Sequence, residues 1–159
     1  EEVGADRIAN AVAAEKLYGA PSIVVDFGTA TNIDVVDSDG YYIGGAIAPG
    51  LRISMDALVA RAARIASIPL ETPPHAIGRT TEEAVQSGAV LGTAAMVEGL
   101  VGRIRAELEA SEARVIATGG LASIVADSTN VFDVVDGQLT LKGICEIARR
   151  MRDRVPRTA

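Results

Sequence analysis

The chain has 159 residues, enough for one domain with a buried core, and 48% of its residues are hydrophobic while only 3% are aromatic. Its core must therefore be built from aliphatic side chains. A formal net charge of −6 argues against nucleic acid or an anionic membrane as the main partner. A single cysteine, Cys145, excludes an internal disulfide, and a single histidine, His75, argues against a zinc site.

The beginning of the chain has neither a methionine nor a signal peptide, which suggests a fragment of a longer protein. We find no apolar stretch that is long enough to cross a bilayer. A cytoplasmic protein without a membrane partner is therefore expected.

Apolar spacing and turn residues predict a single α/β domain. The first strands are joined by short turns, one of them the hairpin sequence Asp-Ser-Asp-Gly at 37–40, whereas later strands need helical crossovers. This order predicts a mixed sheet with flanking helices. The predicted elements are helix 8–18, strands 22–27, 30–36 and 41–48, helices 51–66 and 80–110, strand 114–118, helix 120–125, strand 131–135 and helix 139–155.

The two long helices near the end of the sequence carry distinct patterns. Thr80 and Glu83 have capping-box spacing at the start of helix 80–110. Small residues on one face of that helix allow a close approach, either by the domain's own sheet or by a second copy of the chain; they are Gly88, Gly92, Ala95, Gly99 and Gly102. The last helix is amphipathic, and we expect its apolar stripe to face inward, with Cys145 as a reduced core thiol. That stripe comprises Leu141, Ile144, Cys145, Ala148 and Met151.

Segment 26–31, Asp-Phe-Gly-Thr-Ala-Thr, follows an apolar strand and has the composition of a phosphate-handling turn. Gly28 lets the backbone approach an anion, and Thr29 and Thr31 supply hydroxyl groups. Asp26 can hold a cation or a water molecule. The alternative is a tight β-turn in which backbone amides satisfy Asp26.

Three more glycine-containing turns are candidates for function. At 4–7, Gly-Ala-Asp-Arg, Asp6 either caps the first helix or acts as a base beside Arg7, which can bind an anionic substrate. Thr118-Gly119-Gly120 joins a strand to a helix, where an anion or a nucleotide edge can bind, although many ordinary turns look the same. Residues 44–50, Gly-Gly-Ala-Ile-Ala-Pro-Gly, indicate a strand that neighbouring backbone approaches closely at its glycines, followed by a turn. The sequence contains no Walker A loop and no G-x-G-x-x-G.

In this order and spacing, the four turns resemble type III pantothenate kinase. Residues 77–81, Ile-Gly-Arg-Thr-Thr, and 86–88, Gln-Ser-Gly, belong to the same resemblance, which extends over essentially the whole chain. It implies the acetate and sugar kinase/Hsp70/actin (ASKHA) fold, which repeats a ribonuclease-H-like unit twice. Residues 1–159 would form the second, C-terminal unit.

The resemblance also implies a reaction: phosphorylation of pantothenate by ATP to 4′-phosphopantothenate, the first step of coenzyme A biosynthesis. It implies Mg²⁺ for the nucleotide, K⁺ or NH₄⁺ as a monovalent cation, and a homodimer with pantothenate near its interface. By its motif, Asp26 resembles the K⁺ ligand and Thr29 an ATP contact.

The substrate side follows from the same resemblance. Asp6 resembles the general base, and Gly4, Ala5, Asp6 and Arg7 together resemble the pantothenate-binding stretch. Thr81, at the first turn of the long helix, resembles a second pantothenate contact.

Two departures accompany this resemblance. The family begins with a separate domain carrying Asp-x-Gly-Asn-Thr, which grips the phosphates and the metal, and that motif is absent here. The sequence therefore predicts an enzyme fragment that lacks the N-terminal ATPase half. We expect this fragment to be inactive by itself. The second departure is mild: Asn32-Ile33 follows Thr31, where Thr-Phe or a similar pair is expected for the family.

Two other functions remain open. One is a non-catalytic regulatory or assembly protein of the same fold, related to Bvg accessory factor; the other is a sugar kinase of the superfamily. Residues 4–7 favour the enzyme, because a scaffold does not need a carboxylate beside an arginine at a helix start.

Overall fold

The computed structural model describes residues 3–61 and 68–154. Strands 22–27, 30–36 and 114–118 have the predicted bounds, and the other elements shift at their ends. The end of the predicted helix 51–66 and the last residue of helix 139–155 lie outside the described residues. The elements are α1 (Ala5–Tyr18), β1 (Ser22–Phe27), β2 (Ala30–Val36), β3 (Tyr42–Pro49), α2 (Leu51–Arg61), α3 (Thr81–Gln86), a π-helical turn (Ser87–Leu91), α4 (Gly92–Glu107), β4 (Arg114–Thr118), α5 (Ala122–Ala126), β5 (Val134–Val135) and α6 (Leu139–Arg154).

The sheet has five strands in the order β3-β2-β1-β4-β5. The β1–β2 and β2–β3 pairs are antiparallel, whereas β1–β4 and β4–β5 are parallel, which confirms the predicted mixed sheet. Asp26 pairs with Thr118, so the carboxyl ends of β1 and β4 lie side by side. Strand β5 has only two residues and is shorter than predicted. Just before it, the side chain of Asp133 accepts a hydrogen bond of 2.7 Å from the backbone N–H of Val115 in β4.

Each face of the sheet has its own core. Alternate residues of a strand point to opposite faces, so Ile23 and Val25 pack against the long helix, for example against Val97, while Val24 packs against α1 and α6. Because Asp34 pairs with Val24 across β1 and β2, its side chain lies on the α1 face. This face carries the polar residues described below.

The expectation that the apolar stripe of α6 faces inward is wrong. Leu141, Ile144 and Met151 are 64%, 53% and 65% exposed, and Cys145 is an exposed free thiol; Ala148 is exposed as well. The opposite face of α6 contacts α1 instead, where Gly143 lies directly against the Ala9 carbonyl. A glycine allows the two helix backbones to approach more closely than large side chains would.

The long helical run, Thr81–Glu107, is interrupted by the π-helical turn. The predicted cap at its start is confirmed: Thr80 accepts a hydrogen bond from the N–H of Glu83, and the Glu83 carboxylate accepts one from the N–H of Arg79. The small-residue face points away from the sheet, because an added Cβ at Gly88, Gly92, Gly99 or Gly102 would meet open space.

The expectation that no segment could cross a bilayer needs correction. Within the described residues, Thr81–Glu107 is long and apolar enough to do so by length and composition. However, Val90, Val97 and Val101 of this run are buried in the main hydrophobic core. Core helices of globular domains commonly have this composition.

Candidate active site

The start of α1 places Asp6 in the first helical turn with its side chain exposed. Gly4 is the N-cap residue, and it makes no side-chain capping bond. The proposed capping role of Asp6 is therefore wrong. Its Oδ1 instead accepts the backbone N–H of Arg7 at 2.9 Å. The carboxylate is left accessible to a ligand at the helix N-terminus.

Arg7 forms a buried ion pair that sequence analysis missed. Its Nε and Nη2 each lie 2.7 Å from Oδ1 of Asp34, whose side chain is fully buried. The hydroxyl of Tyr42 donates to the same oxygen over 3.0 Å, and the Tyr42 ring lies 5.8 Å from the guanidinium carbon. Burial raises the pKa of the Asp34 carboxyl, whereas the hydrogen bonds and charge of its partners oppose that rise.

Asp26, the penultimate residue of β1, lies on the same face of the sheet and is half-buried. Its Oδ2 accepts a hydrogen bond of 2.9 Å from Asn10, and the Asn10 side-chain oxygen accepts one of 2.7 Å from Thr140. Burial raises the pKa of Asp26; the Asn10 bond opposes this, and the negative charges of Asp6 and Asp34 add to it. The charges of Asp6 and Asp34 therefore make the ionised form of Asp26 less favourable.

Two glycines, Gly119 and Gly50, allow the backbone to pack closely against Asp26 and Thr29. Gly119 has φ +92°, and a Cβ there would lie 2.5 Å from Oδ1 of Asp26 and 2.7 Å from the backbone of Phe27. A Cβ at Gly50 would overlap the Thr29 carbonyl. Thr29 itself is exposed beside this turn. The predicted tight turn is present, with Gly28 N–H donating to the Ala30 carbonyl, but the side chain of Asn10 rather than a backbone amide meets Asp26.

Thr81 is the first residue of α3, exposed and separate from this cluster. It lines a groove of about 440 Å³ between α2 and the long helical run, together with Met55, Leu58 and Gly88. Among the described residues, no hydrogen bond or ion pair joins Thr81 to residues 4–7. The structure brings Asp6, Arg7 and Asp26 to one region, and it places Thr81 in the groove beside α2.

Asp26 is the residue that could offer an oxygen to a monovalent cation: one oxygen of this half-buried carboxylate accepts a hydrogen bond from Asn10, and the other lies at the Gly119 turn. The described ranges contain no group of three His, Cys, Asp or Glu side chains able to hold a metal ion. They therefore offer no ready ligand set for Mg²⁺.

The residues that sequence analysis missed are Asn10, Asp34 and Tyr42. Asp34 had a recognisable signal: it is a carboxylate flanked by the apolar Ile33 and Val35 in a mostly buried strand, where an unpaired charge is costly. The helical position of Asn10 and the strand-edge position of Tyr42 carried no comparable signal.

Solved structures that share this fold include the following two. A Baf family protein from Campylobacter jejuni, described as a transcriptional activator, aligns with a TM-score of 0.67 at 20% identity, over 96% of this chain and 67% of that one. The activator of 2-hydroxyisocaproyl-CoA dehydratase from Clostridium difficile, with bound ADPNP, aligns with a TM-score of 0.54 at 12% identity, over 97% and 70%. At these identities the likeness concerns the fold, which is of the actin-like ASKHA class.

Sequence comparison identifies the family within that class. The family model for type III pantothenate kinase matches residues 1–103. Type III pantothenate kinases from Thermomicrobium roseum and Paramagnetospirillum magneticum are 57% and 52% identical, each over 94% of this chain. The chain belongs to the type III pantothenate kinase family. It spans 58% and 57% of the length of these two relatives.

Proposed function

We propose that this chain forms the C-terminal part of an enzyme that uses ATP to phosphorylate pantothenate, the first step of coenzyme A biosynthesis. The observation that carries the proposal is the placement, at the start of α1, of an exposed Asp6 carboxylate next to an Arg7 whose guanidinium is held by buried Asp34. Cytoplasmic ATP would supply the phosphoryl group.

In the proposed reaction, Asp6 orients the terminal hydroxyl of pantothenate and accepts its proton. The hydroxyl oxygen bonds to the γ-phosphorus of ATP, the bond from that phosphorus to the bridging oxygen breaks, and ADP leaves. Gly4 and Ala5 leave room for the substrate beside the helix start. Arg7 binds the substrate's carboxylate, because Nη1 is not used in the Asp34 pair.

The nucleotide side would be shared with a part of the enzyme outside this chain. Thr29 contacts ATP from the exposed turn after β1, and Asp26 holds K⁺ or NH₄⁺. Bound Mg²⁺ would neutralise phosphate charge, and its ligands would come from an N-terminal ATPase half. Thr81 is proposed as a second pantothenate contact, in a homodimer whose interface includes the small-residue face of the long helix.

The test compares the 159-residue chain with the full-length kinase that contains it. Product formation is followed by mass spectrometry of 4′-phosphopantothenate, and circular dichroism checks that both proteins are folded. We expect turnover by the full-length protein and none by the chain alone. An inactive, folded full-length protein would instead favour a regulatory role.

A further inference from the structure

The buried carboxylate of Asp34 is not assigned any role in the reaction proposed above. Its side chain is fully buried in β2, yet it forms an ion pair with a residue of the candidate active site, Arg7. Its Oδ1 receives both Arg7 contacts and the Tyr42 hydroxyl bond, while Oδ2 has no hydrogen-bond partner among the described residues. Burying this ion pair costs desolvation energy. Apolar side chains of similar volume could fill the same space without that cost.

The geometry of this cluster fixes one edge of the Arg7 guanidinium. Nε and Nη2 both contact Asp34, whereas Nη1 makes no hydrogen bond or ion pair within the described part of the chain. The ring of Tyr42 lies against the guanidinium, and its hydroxyl is bonded to the same carboxylate oxygen. Only 15% of the Arg7 side chain is exposed. An arginine held in this way loses little conformational freedom when it binds an anion.

We propose that Asp34 and Tyr42 are positioning residues that aim Nη1 of Arg7 at the substrate's carboxylate and so set the preference for an acidic substrate. This inference rests on the proposed function. Removing the Asp34 charge has two opposing effects on anion binding. It leaves the Arg7 charge unbalanced, which attracts anions, but it also releases the guanidinium from its fixed orientation. We expect orientation to dominate, because a charge-assisted hydrogen bond is worth more than an unoriented charge near solvent.

The experiment uses the full-length kinase and two substrates: pantothenate, and its neutral analogue in which a primary amide replaces the carboxylate. The variants are Asp34→Asn, which removes the charge, and Tyr42→Phe, which keeps the ring and removes the hydroxyl donor. Tyr18→Phe is the matched control, since the Tyr18 hydroxyl also donates to a carboxylate, that of Asp136, over 2.7 Å. The measured quantity is kcat/KM for each substrate, with KM and kcat separated and thermal unfolding followed in parallel.

We expect Asp34→Asn to lower the ratio of kcat/KM for pantothenate to that for the amide by roughly 10-fold, mainly through KM. Tyr42→Phe should lower the same ratio by a smaller factor, and it keeps the test valid where Asp34→Asn does not fold. Tyr18→Phe should leave the ratio unchanged. An equal loss on both substrates, an unchanged ratio or a raised ratio would overturn the inference. An unsubstituted protein that phosphorylates neither compound would instead refute the proposed function, and this inference with it.

Discussion

Asp6 is the residue to which we assign proton transfer, and its surroundings separate that role from a structural one. Gly4 occupies the N-cap, so the helix does not depend on Asp6 as a cap. The Oδ1 contact with the N–H of Arg7 can also be made by an asparagine.

We therefore expect Asp6→Asn to leave the thermal midpoint nearly unchanged while lowering turnover by roughly 100-fold or more, the scale of general-base catalysis. The control is Asp56→Asn, which changes an exposed carboxylate on α2. The measurement is steady-state turnover of the full-length kinase together with its melting curve. Turnover close to that of the unsubstituted protein would remove Asp6 from the mechanism.

Asp26 gives a prediction about pH and cations. Its pKa is raised mainly by burial, so the folded state holds the proton more tightly than the unfolded state does. Stability should consequently fall as pH rises from about 4, the ordinary carboxyl value, through the raised pKa of Asp26. We expect Asp26→Asn to remove this loss, so that the variant gains stability relative to the unsubstituted protein at pH 7 but not at pH 3. K⁺ in place of tetramethylammonium should raise the melting temperature of the unsubstituted protein only.

Asp136 is the matched control for this titration because its pKa shift has the opposite sign. Burial opposes the shift, but hydrogen bonds from Lys142 and Tyr18 lower the pKa of Asp136. Asp136→Asn should therefore reduce stability at pH 7, and the difference should vanish in acid. A K⁺ response that persists in Asp26→Asn would show that the cation binds elsewhere.

Among the helices and strands, the crossing of α1 and α6 controls how the site is held. The side chain of Asn10 on α1 forms hydrogen bonds with both Asp26 and Thr140 of α6. The distance between the two helices therefore fixes where Asn10 lies relative to Asp26. Gly143 sets that separation, because a Cβ there would overlap the Ala9 carbonyl.

We expect Gly143→Ala to destabilise the protein by about 1–3 kcal/mol through overpacking, even though alanine favours a helix by up to about 1 kcal/mol. Gly102→Ala is the control, since a Cβ at this helical position meets open space, and it should be neutral or stabilising. Urea unfolding measures both free energies. Equal stability of the two variants would show that α6 can shift away from α1 without cost.

At the scale of the whole molecule, the exposed small-residue face of the long helix is the surface on which we propose that two copies of the chain pair. Four glycines along it have no neighbour within contact distance of an added Cβ, and Ala95 beside them is exposed. The alternative in which this face packs on the domain's own sheet is therefore wrong for the described residues. Small residues on a helix allow a second backbone to approach closely.

Gly99→Glu should shift the full-length kinase from dimer to monomer, because it places a charged side chain in the close contact. Ser38→Glu, in the exposed hairpin turn, adds the same charge on another surface and should leave the dimer intact. Sedimentation velocity at several protein concentrations distinguishes the two. A Gly99→Glu protein that stays dimeric would place the interface on another face.

The sequence by itself determined the elements whose signals are local. Apolar runs closed by glycine marked β1 and β4, the two flanking turns delimited β2, and the Thr80 cap marked the start of the long helix correctly. The hairpin at 37–40 also formed as predicted, with Gly40 at φ +84° and the Asp37 carboxylate accepting the N–H groups of Asp39 and Tyr41. These features depend on neighbours within a few residues, which the sequence places side by side.

Only the tertiary structure decided which polar groups meet and which face of α6 is covered. Arg7 and Asp34 are 27 positions apart, and Thr140 reaches Asn10 across 130 positions. Such pairings depend on how α1 settles on the sheet and how closely α6 crosses it. The apolar stripe of α6 marked an amphipathic helix correctly, but periodicity defines two faces without saying which one meets a neighbour. Here Gly143 decided it, because the close crossing of two backbones requires the face without a side chain.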